Sequence, residues 1–489
     1  MLRPEKDVDT TAAGTDPSIA GALPVVGYEA RDESRPASAA PTEAQLEAES
    51  PGGSASAGHD PYAALRYRDY RLFVGGWVAS VIGAQIQDVA IGWEIFKRLG
   101  SDVSKGSWAL GWVGGVQALP IILLALPAGQ LADRLDRRKI ILFSTLLAAL
   151  SSFGLGLVSF GNGGIGWLYV LLGLGAIAKA IGWPARSALL PQTVPADVFS
   201  NAATWNSSAF QVASVVGPAL GGLLVALGAK KAALHDHGGP GTWLAYCLDA
   251  CCSLTFCGFL MILRVRSRPQ GGGPSRPSRF ANLLEGLRYV FKTEMILATI
   301  TLDLFAVLLG GATFLLPIFA EKQLGVGAVG LGWLRAAPAV GALIMAVTVA
   351  HMPPMKRAGR AMLWAVAAFG AATIVFGLSR SFVLSLFMLA LTGAFDNISV
   401  IVRHTLVQVM TPDRMRGRVS AVNNIFVGAS NELGGFESGL TSGLWGPVIS
   451  VVGGGIGTIL VVLAAALVWP KIRKLGSLQD VVVVEEATA

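Results

Sequence analysis

Two carboxylates stand five residues apart in the stretch GASNELGGFESGL: Glu432 and Glu437. The tract around them is apolar from about Val419 to Trp445. At mid-depth in a bilayer each charge costs about 2.5 kcal/mol or more, so something must offset it. Asp88, Lys179, Asp249, Asp303, Arg335 and Asp396 are embedded in apolar sequence in the same way. Such groups can exchange protons, pair with one another or bind a polar solute, and each is a functional candidate whose partner must be found. No nucleophile–base set stands out, and the sequence has no Walker loop or H-E-x-x-H motif. An enzyme is therefore not expected, ATP drive by this chain is unsupported, and no cofactor or metal is implied.

Helical geometry separates the two glutamates. Glu432 falls near the middle of its tract and Glu437 about 7.5 Å further out, turned by about 140°. Arg335 lies at a depth comparable to Glu437, which predicts a structural Glu437–Arg335 ion pair. Glu432 has no obvious cation near it in sequence. A carboxyl group held away from water resists ionising, and one that is neutral in one state and ionised in another is what proton coupling needs. Asp396 and Asp88 are rivals for that role. The plainer alternative is a protonated Glu432 hydrogen-bonded to Asn431 or to a facing helix.

The elements that would hold these residues are long and apolar. The chain has 489 residues, 53% hydrophobic and 14% charged, with mean hydropathy +0.58. Soluble chains carry about 25% charged residues, so several membrane spans are expected. Twelve tracts of the length needed to cross ~30 Å of hydrocarbon run at about 72–96, 107–131, 139–160, 167–186, 201–228, 242–263, 295–319, 328–351, 361–379, 382–404, 418–444 and 447–469. Alternate connections are basic. Arg66, Arg68 and Arg71, then Arg134, Arg137, Arg138 and Lys139, then Arg264 to Arg279, then Lys356, Arg357 and Arg360, then Arg414, Arg416 and Arg418, and finally Lys471, Arg473 and Lys474 mark one side. That side is read as cytoplasmic, with both termini inside. The net charge of +7 is spread between apolar tracts, which argues against a nucleic-acid partner; the lipid bilayer and a small molecule are the expected partners, and the chain is expected to be monomeric.

The predicted organisation is a polar tail over residues 1–60, a first set of six helices over 61–263, a basic linker with an amphipathic helix over 264–294, a second set over 295–470 and a tail over 471–489. The first tail is rich in Ala, Pro, Ser, Asp and Glu, has no apolar period and lacks a secretory h-region. FANLLEGLRYVFK in the linker predicts a helix lying on the inner surface. Cys247, Cys251, Cys252 and Cys257 crowd one apolar tract and read as small packing residues. His235-Asp236-His237 reads as a polar loop rather than a metal site, and His404 as an interfacial residue. The halves echo each other at a shift of 217 residues: Arg186 meets Arg403, Asn206 meets Asn423, Gly217 meets Gly434 and Gly222 meets Gly439. That ordered series points to an internal repeat, a common transporter plan.

Two motifs carry a resemblance. GQLADRLDRRK, Gly129 to Lys139, resembles the signature loop of the major facilitator superfamily, with Gly129, then Asp133-Arg134, then the pair Arg137-Arg138. GPALGG, with Gly217, Pro218, Gly221 and Gly222, resembles the Gly-Pro motif of its drug/proton antiporter branch, although Ala213 stands where that motif begins with Gly. Over about residues 62–475 the chain is most similar to bacterial siderophore and macrolide exporters. The resemblance implies an all-α membrane protein with twelve transmembrane helices in two six-helix bundles, a central cavity and alternating access. It also implies a multi-pass protein of the bacterial cytoplasmic membrane. The seventh and tenth helices would border the cavity, bringing Asp303 and Asp396 toward water, with Arg403 two turns below Asp396 and able to pair with it. Asp133 would face the start of the eleventh helix, beside Arg416 and Arg418, and hold the cytoplasmic side shut, while the arginines order the loop. Asp136 stands where the loop motif has Gly, and a turn with positive φ is expected there. The function implied is a secondary exporter of a small amphipathic molecule, driven by proton entry into the cell. The alternatives are a metabolite importer of the same fold and a non-transporting receptor or scaffold.

Overall fold

A computed structural model describes residues 60–99, 102–234, 240–265, 279–353 and 355–476. The tail over 1–59, the His235–His237 loop, the basic stretch 266–278 and the tail from 477 onward lie outside the described residues. The long helices follow the apolar tracts: α1 (Arg68–Leu99), α2 (Val103–Arg134), α3 (Arg137–Phe160), α4 (Ile165–Leu189), α5 (Phe199–Leu234) and α6 (Trp243–Ile262). After them come α7 (Arg279–Lys292), α8 (Glu294–Leu309), α9 (Gly327–His351), α10 (Ala358–Leu378), α11 (Phe382–Met410), α12 (Asp413–Trp445), α13 (Pro447–Val468) and the short α14 (Pro470–Lys474). No strand occurs among the described residues.

Eleven of these segments are long and apolar enough to cross a membrane. The twelfth expected span is α12, which has the length, 33 residues, but not the apolarity. The helix packs against α2 and α8; of its polar residues Asn423 is buried and Glu432 and Glu437 are half-buried, while Asn424 and Asn431 are exposed. The side bearing Arg134, Arg137, Arg138 and Arg418 is called the inner side below, following the charge asymmetry.

Local signals explain several helix ends. Asp102 starts α2 by accepting from the backbone N–H of Ser104 (3.0 Å) and Lys105 (3.3 Å). The tract expected at 295–319 is not one helix. Gly310 and Gly311 end α8, and the chain continues as the 3-10 turn Ala312–Leu315, the turn Leu316–Ile318 and the π-helical turn Phe319–Gln323. A Cβ on Gly311 would lie 2.5 Å from the Gly434 carbonyl oxygen, so the break lets α12 approach the backbone closely.

The internal repeat is realised as equivalent packing. Gly217 and Gly221 of α5 face α1: an added Cβ would lie 2.5 Å from Gln85 Cβ and 3.1 Å from Ile86 Cα, respectively. Gly222 faces α9, where a Cβ would lie 2.4 Å from the Ala328 carbonyl oxygen. In the second repeat, Gly434 of α12 faces α8, and Gly439 faces α2 at Gly111. Positions related by the 217-residue shift thus make the same kinds of contact, one with the helix that opens its own half and one with a helix of the other half. Small residues permit such backbone contact, which dispersion forces then stabilise.

The amphipathic helix of the linker forms as α7. Its Val290 is buried, Tyr289 donates to the Met410 carbonyl (2.7 Å) and Glu285 pairs with Arg418, while Leu284 and Phe291 stay exposed. Apolar residues left outward beside charged ones fit a helix at the bilayer surface.

Candidate functional site

Three of the embedded charges, Asp88, Arg335 and Glu432, converge on a cavity of about 40 Å³ between α1, α2, α9, α12 and the broken segment after α8. Asp88, Gln117, Phe314, Arg335 and Glu432 line it. That volume holds only a few waters. Arg335 Nη2 lies 3.8 Å from Asp88 Oδ2, and Nη1 donates to the Thr313 carbonyl at 3.2 Å. The break after Leu309 supplies that acceptor, since irregular backbone leaves a carbonyl unused by a helix. The Arg335 guanidinium also sits 5.8 Å from the Phe314 ring centroid. Glu432 Oε2 is buried without a hydrogen-bond partner among the described residues. Lys179 of α4 is a second cation, in the field of Asp88, Glu432, Asp249 and Arg335.

This arrangement corrects two expectations. Arg335 meets Asp88 of α1, and no Glu437–Arg335 pair forms among the described residues. Glu437 instead accepts from the Ser438 hydroxyl at 3.5 Å. Glu432, expected to lack a cation, shares its cavity with Arg335 and the field of Lys179. Neither cation is near it in sequence; the tertiary fold brings them in.

The other charges fall into separate clusters. Asp303 of α8 pairs with Arg403 of α11, both nearly inaccessible at 5% and 2% exposure. Asp303 is thus not at water, and the pairing of Arg403 with Asp396 is not what forms. Asp396 is half-buried on α11 beside Asn397, whose Oδ1 is buried and without a hydrogen-bond partner among the described residues. Asp249 of α6 accepts from the Ser152 hydroxyl at 2.5 Å, and the same hydroxyl lies 2.7 Å from Gln87 Oε1. Sequence reading passed over Glu94. It is 0% exposed, 2.5 Å from Arg98 one turn on, and accepts from Thr242 Oγ1 at 2.8 Å. The i,i+4 acid–base spacing at the end of α1 was the signal.

At the inner side, Asp133 ends α2, and its side chain lies outside what is described. Arg137 is buried and donates to the Ala188 carbonyl of α4 at 3.2 Å. Arg138 donates to the Met261 carbonyl of α6 at 2.7 Å. Two cations therefore meet two helix C-termini, where carbonyls are unpaired and the dipole favours positive charge. Arg134 is exposed, Gly129 lies within α2, and Arg416 is exposed in the first turn of α12. Arg418 reaches Glu285 of α7. Asp136 does not adopt positive φ: at φ −60° it caps α3, its Oδ1 accepting from the Arg138 N–H at 3.0 Å. Asp takes the turn's place as an N-cap, which needs extended rather than left-handed backbone.

Contacts between the first six long helices and the last six cluster at the outer side. Ser107 and Ser442 share a hydrogen bond of 2.7 Å, Ser104 donates to the Gly443 carbonyl at 2.6 Å and Lys97 pairs with Glu321 at 2.6 Å. A Cβ on Gly439 would lie 2.2 Å from Gly111 Cα, so the α2 and α12 backbones touch.

Fold and charge placement define a multi-pass membrane transporter of the major facilitator type. Solved structures agree on the fold. A bacterial homolog of the human lysosomal transporter Spinster, inward-facing and occupied, matches with a TM-score of 0.65 at 16% identity, covering 85% of this chain and 99% of that one. A D-xylose–proton symporter matches at 0.63 and 13% identity, covering 83% and 99%. The profile of the transmembrane secretion effector family matches residues 59–481, and the chain belongs to that family. Among relatives, the multidrug efflux pump Tap of Mycolicibacterium fortuitum is 27% identical over 365 residues, covering 72% of this chain and 84% of Tap. The enterobactin exporter EntS of Escherichia coli O1:K1 / APEC is 24% identical over 373 residues, covering 76% and 86%. The family and these relatives are transporters, so the chain is a small-molecule transporter of the cell membrane, with exporters as relatives.

Proposed function

We propose that the chain exports a small amphipathic molecule by alternating access, with proton entry as the driving force. The observation that carries this reading is the cavity that gathers Asp88, Arg335 and Glu432 from α1, α9 and α12. Those helices belong to both halves of the sequence repeat. A charge pair joining α1 to α9 is a contact between halves that a proton can weaken. Neutralising Asp88 or Glu432 removes one negative charge near Arg335 and Lys179, and the loss is felt because the Asp88–Arg335 pair is partly shielded from bulk water. Under this reading the outer hydrogen bonds and the Gly111–Gly439 contact belong to a state shut on the outside. Re-packing from that state requires a ligand or proton that binds the two states unequally. Under this reading the two six-helix halves move as units, and Asp133 at the end of α2 shuts the inner side in the opposite state.

The test compares compounds retained by cells lacking the protein and cells overproducing it, with and without a proton uncoupler. We expect one or more amphipathic compounds to be depleted on overproduction, with the depletion abolished by the uncoupler. Accumulation on overproduction would replace export by import, and indifference to the uncoupler would remove proton drive.

A further inference from the structure

Arg186 and Arg403 occupy equivalent positions of the internal repeat, yet their surroundings differ. Arg403 is neutralised by Asp303 from α8. The helix that matches α8 in the first repeat is α1, since Gly217 packs on α1 as Gly434 packs on α8. From α1, Arg186 receives no acid. It receives an indole: its guanidinium carbon lies 4.8 Å from the ring centroid of Trp77 and 4.8 Å from that of Trp183. Trp77 in turn stacks on Phe210 of α5, with centroids 6.2 Å apart and planes 12° from parallel. Among the described residues, Arg186 has neither a hydrogen bond nor an ion pair, and it keeps partial access to open space. A cation inside a helix bundle with its faces stacked and its donor edge unused is an incomplete anion site.

The placement points inward, not to lipid. Lys179, Trp183 and Arg186 share one face of α4, at spacings of four and three residues. Lys179 on that face lies in the field of Asp88, Glu432, Asp249 and Arg335. Trp77 and Asp88 likewise share a face of α1, eleven residues being about 20° past three whole turns. Residues Leu171, Gly175 and Gly182 of α4 pack on α3, and Tyr169 and Gly173 on α2, while Val170 is exposed on the far side. The Lys179–Trp183–Arg186 face lies between those two packed faces and runs from the charged cavity to the inner end of the helix. Trp183 is 52% exposed along it.

From this juxtaposition we infer that Lys179, Trp183 and Arg186, backed by Trp77 and Phe210, form an inner subsite for a planar aromatic molecule bearing a carboxylate or similar anion. Trp183 offers a face for the ring, and the guanidinium edge offers two parallel N–H donors to the anion. Lys179 sits about 10 Å above Arg186 along the helix and favours a negative ligand along the same track. This assignment rests on the transporter reading above and specifies its substrate class.

The test is equilibrium binding to the purified full-length chain, which requires no transport. Fluorescein is the planar anionic probe and rhodamine 6G the planar cationic control, both followed by fluorescence anisotropy. Charge-assisted pairing predicts that fluorescein binds about tenfold or more tightly than rhodamine 6G. Arg186→Gln abolishes that preference, Arg186→Lys restores only part of it because a point charge lacks the bidentate edge, and Trp183→Ala weakens both dyes. A second measurement needs no variant: bound fluorescein is displaced by 2-naphthoate but not by uncharged 2-naphthalenemethanol. Equal affinity for the two dyes, undiminished fluorescein binding by Arg186→Gln, or displacement by the uncharged compound would each overturn the subsite. Anion-selective binding without uncoupler-sensitive export would overturn the transport reading and leave the subsite standing.

Discussion

Arg335 of α9 and Asp88 of α1 face each other at 3.8 Å across the boundary between the two repeats, with Glu432 lining the same cavity. The pair is about one-fifth exposed at each partner, so it is partly shielded rather than dry. Arg335→Gln should leave Asp88 without its ion-pair partner and reduce transport to near background while the protein still inserts. A double-mutant cycle with Asp88→Asn should show a coupling of about 1–2 kcal/mol in thermal stability, as residues sharing one charge network do. Additive effects would mean that the pair is incidental.

Among the described residues, Glu432 Oε2 is a buried carboxylate oxygen without a hydrogen-bond partner. Glu432→Gln keeps its shape and hydrogen-bonding capacity but cannot carry a proton. In inverted membrane vesicles we expect this variant to lose uptake driven by a pH gradient while retaining exchange of substrate down its own gradient. Retention of full gradient-driven uptake would move the proton to Asp88 or Asp396.

Asp303 and Arg403 form a buried pair. Removing one partner strands the other charge, which typically costs about 3–5 kcal/mol, whereas removing both is far milder. Asp303→Asn should therefore lower the unfolding temperature in detergent strongly, and Asp303→Asn with Arg403→Gln should recover most of the loss. Thermal unfolding followed by tryptophan fluorescence measures this.

Gly439 meets Gly111 backbone to backbone at the outer side. Any side chain there must push α2 from α12. Gly439→Val should open the outer seam, so that a cysteine replacing Ser442, now buried, reacts with a membrane-impermeant maleimide added from outside. An unreactive cysteine in the Gly439→Val background would argue against closure at this seam.

Asp136 caps α3. Replacing an N-cap Asp by Ala costs about 1 kcal/mol, but by Gly only a few tenths. The order of thermal stability should therefore be Asp136, then Gly, then Ala. This explains how the loop tolerates Asp where the superfamily signature has Gly.

The helices were legible in sequence because a bilayer allows few solutions. Backbone groups must pair within each segment, so an apolar tract of sufficient length, such as that around Val451 to Val462, announces a helix by composition alone. The repeat was legible too: Gly217 and Gly434, or Gly222 and Gly439, keep their residue type because each is pressed against another backbone. The break at Gly310-Gly311 was not read, because an apolar tract looks continuous whether or not its hydrogen bonds are.

Sequence by itself determined the class of protein, the order of the apolar tracts, and which residues were too costly to be passive in a membrane. It named Asp88, Arg335 and Glu432 as candidates without pairing them correctly. Only tertiary structure decided that Arg335 belongs with Asp88, that Arg403 belongs with Asp303, and that Arg186 has two indoles where its repeat partner has an acid. The reason is physical. The cost of burying a charge depends on that residue and its depth, which a sequence states. Its compensation depends on side chains from other helices, some hundreds of residues away, which only packing brings within reach.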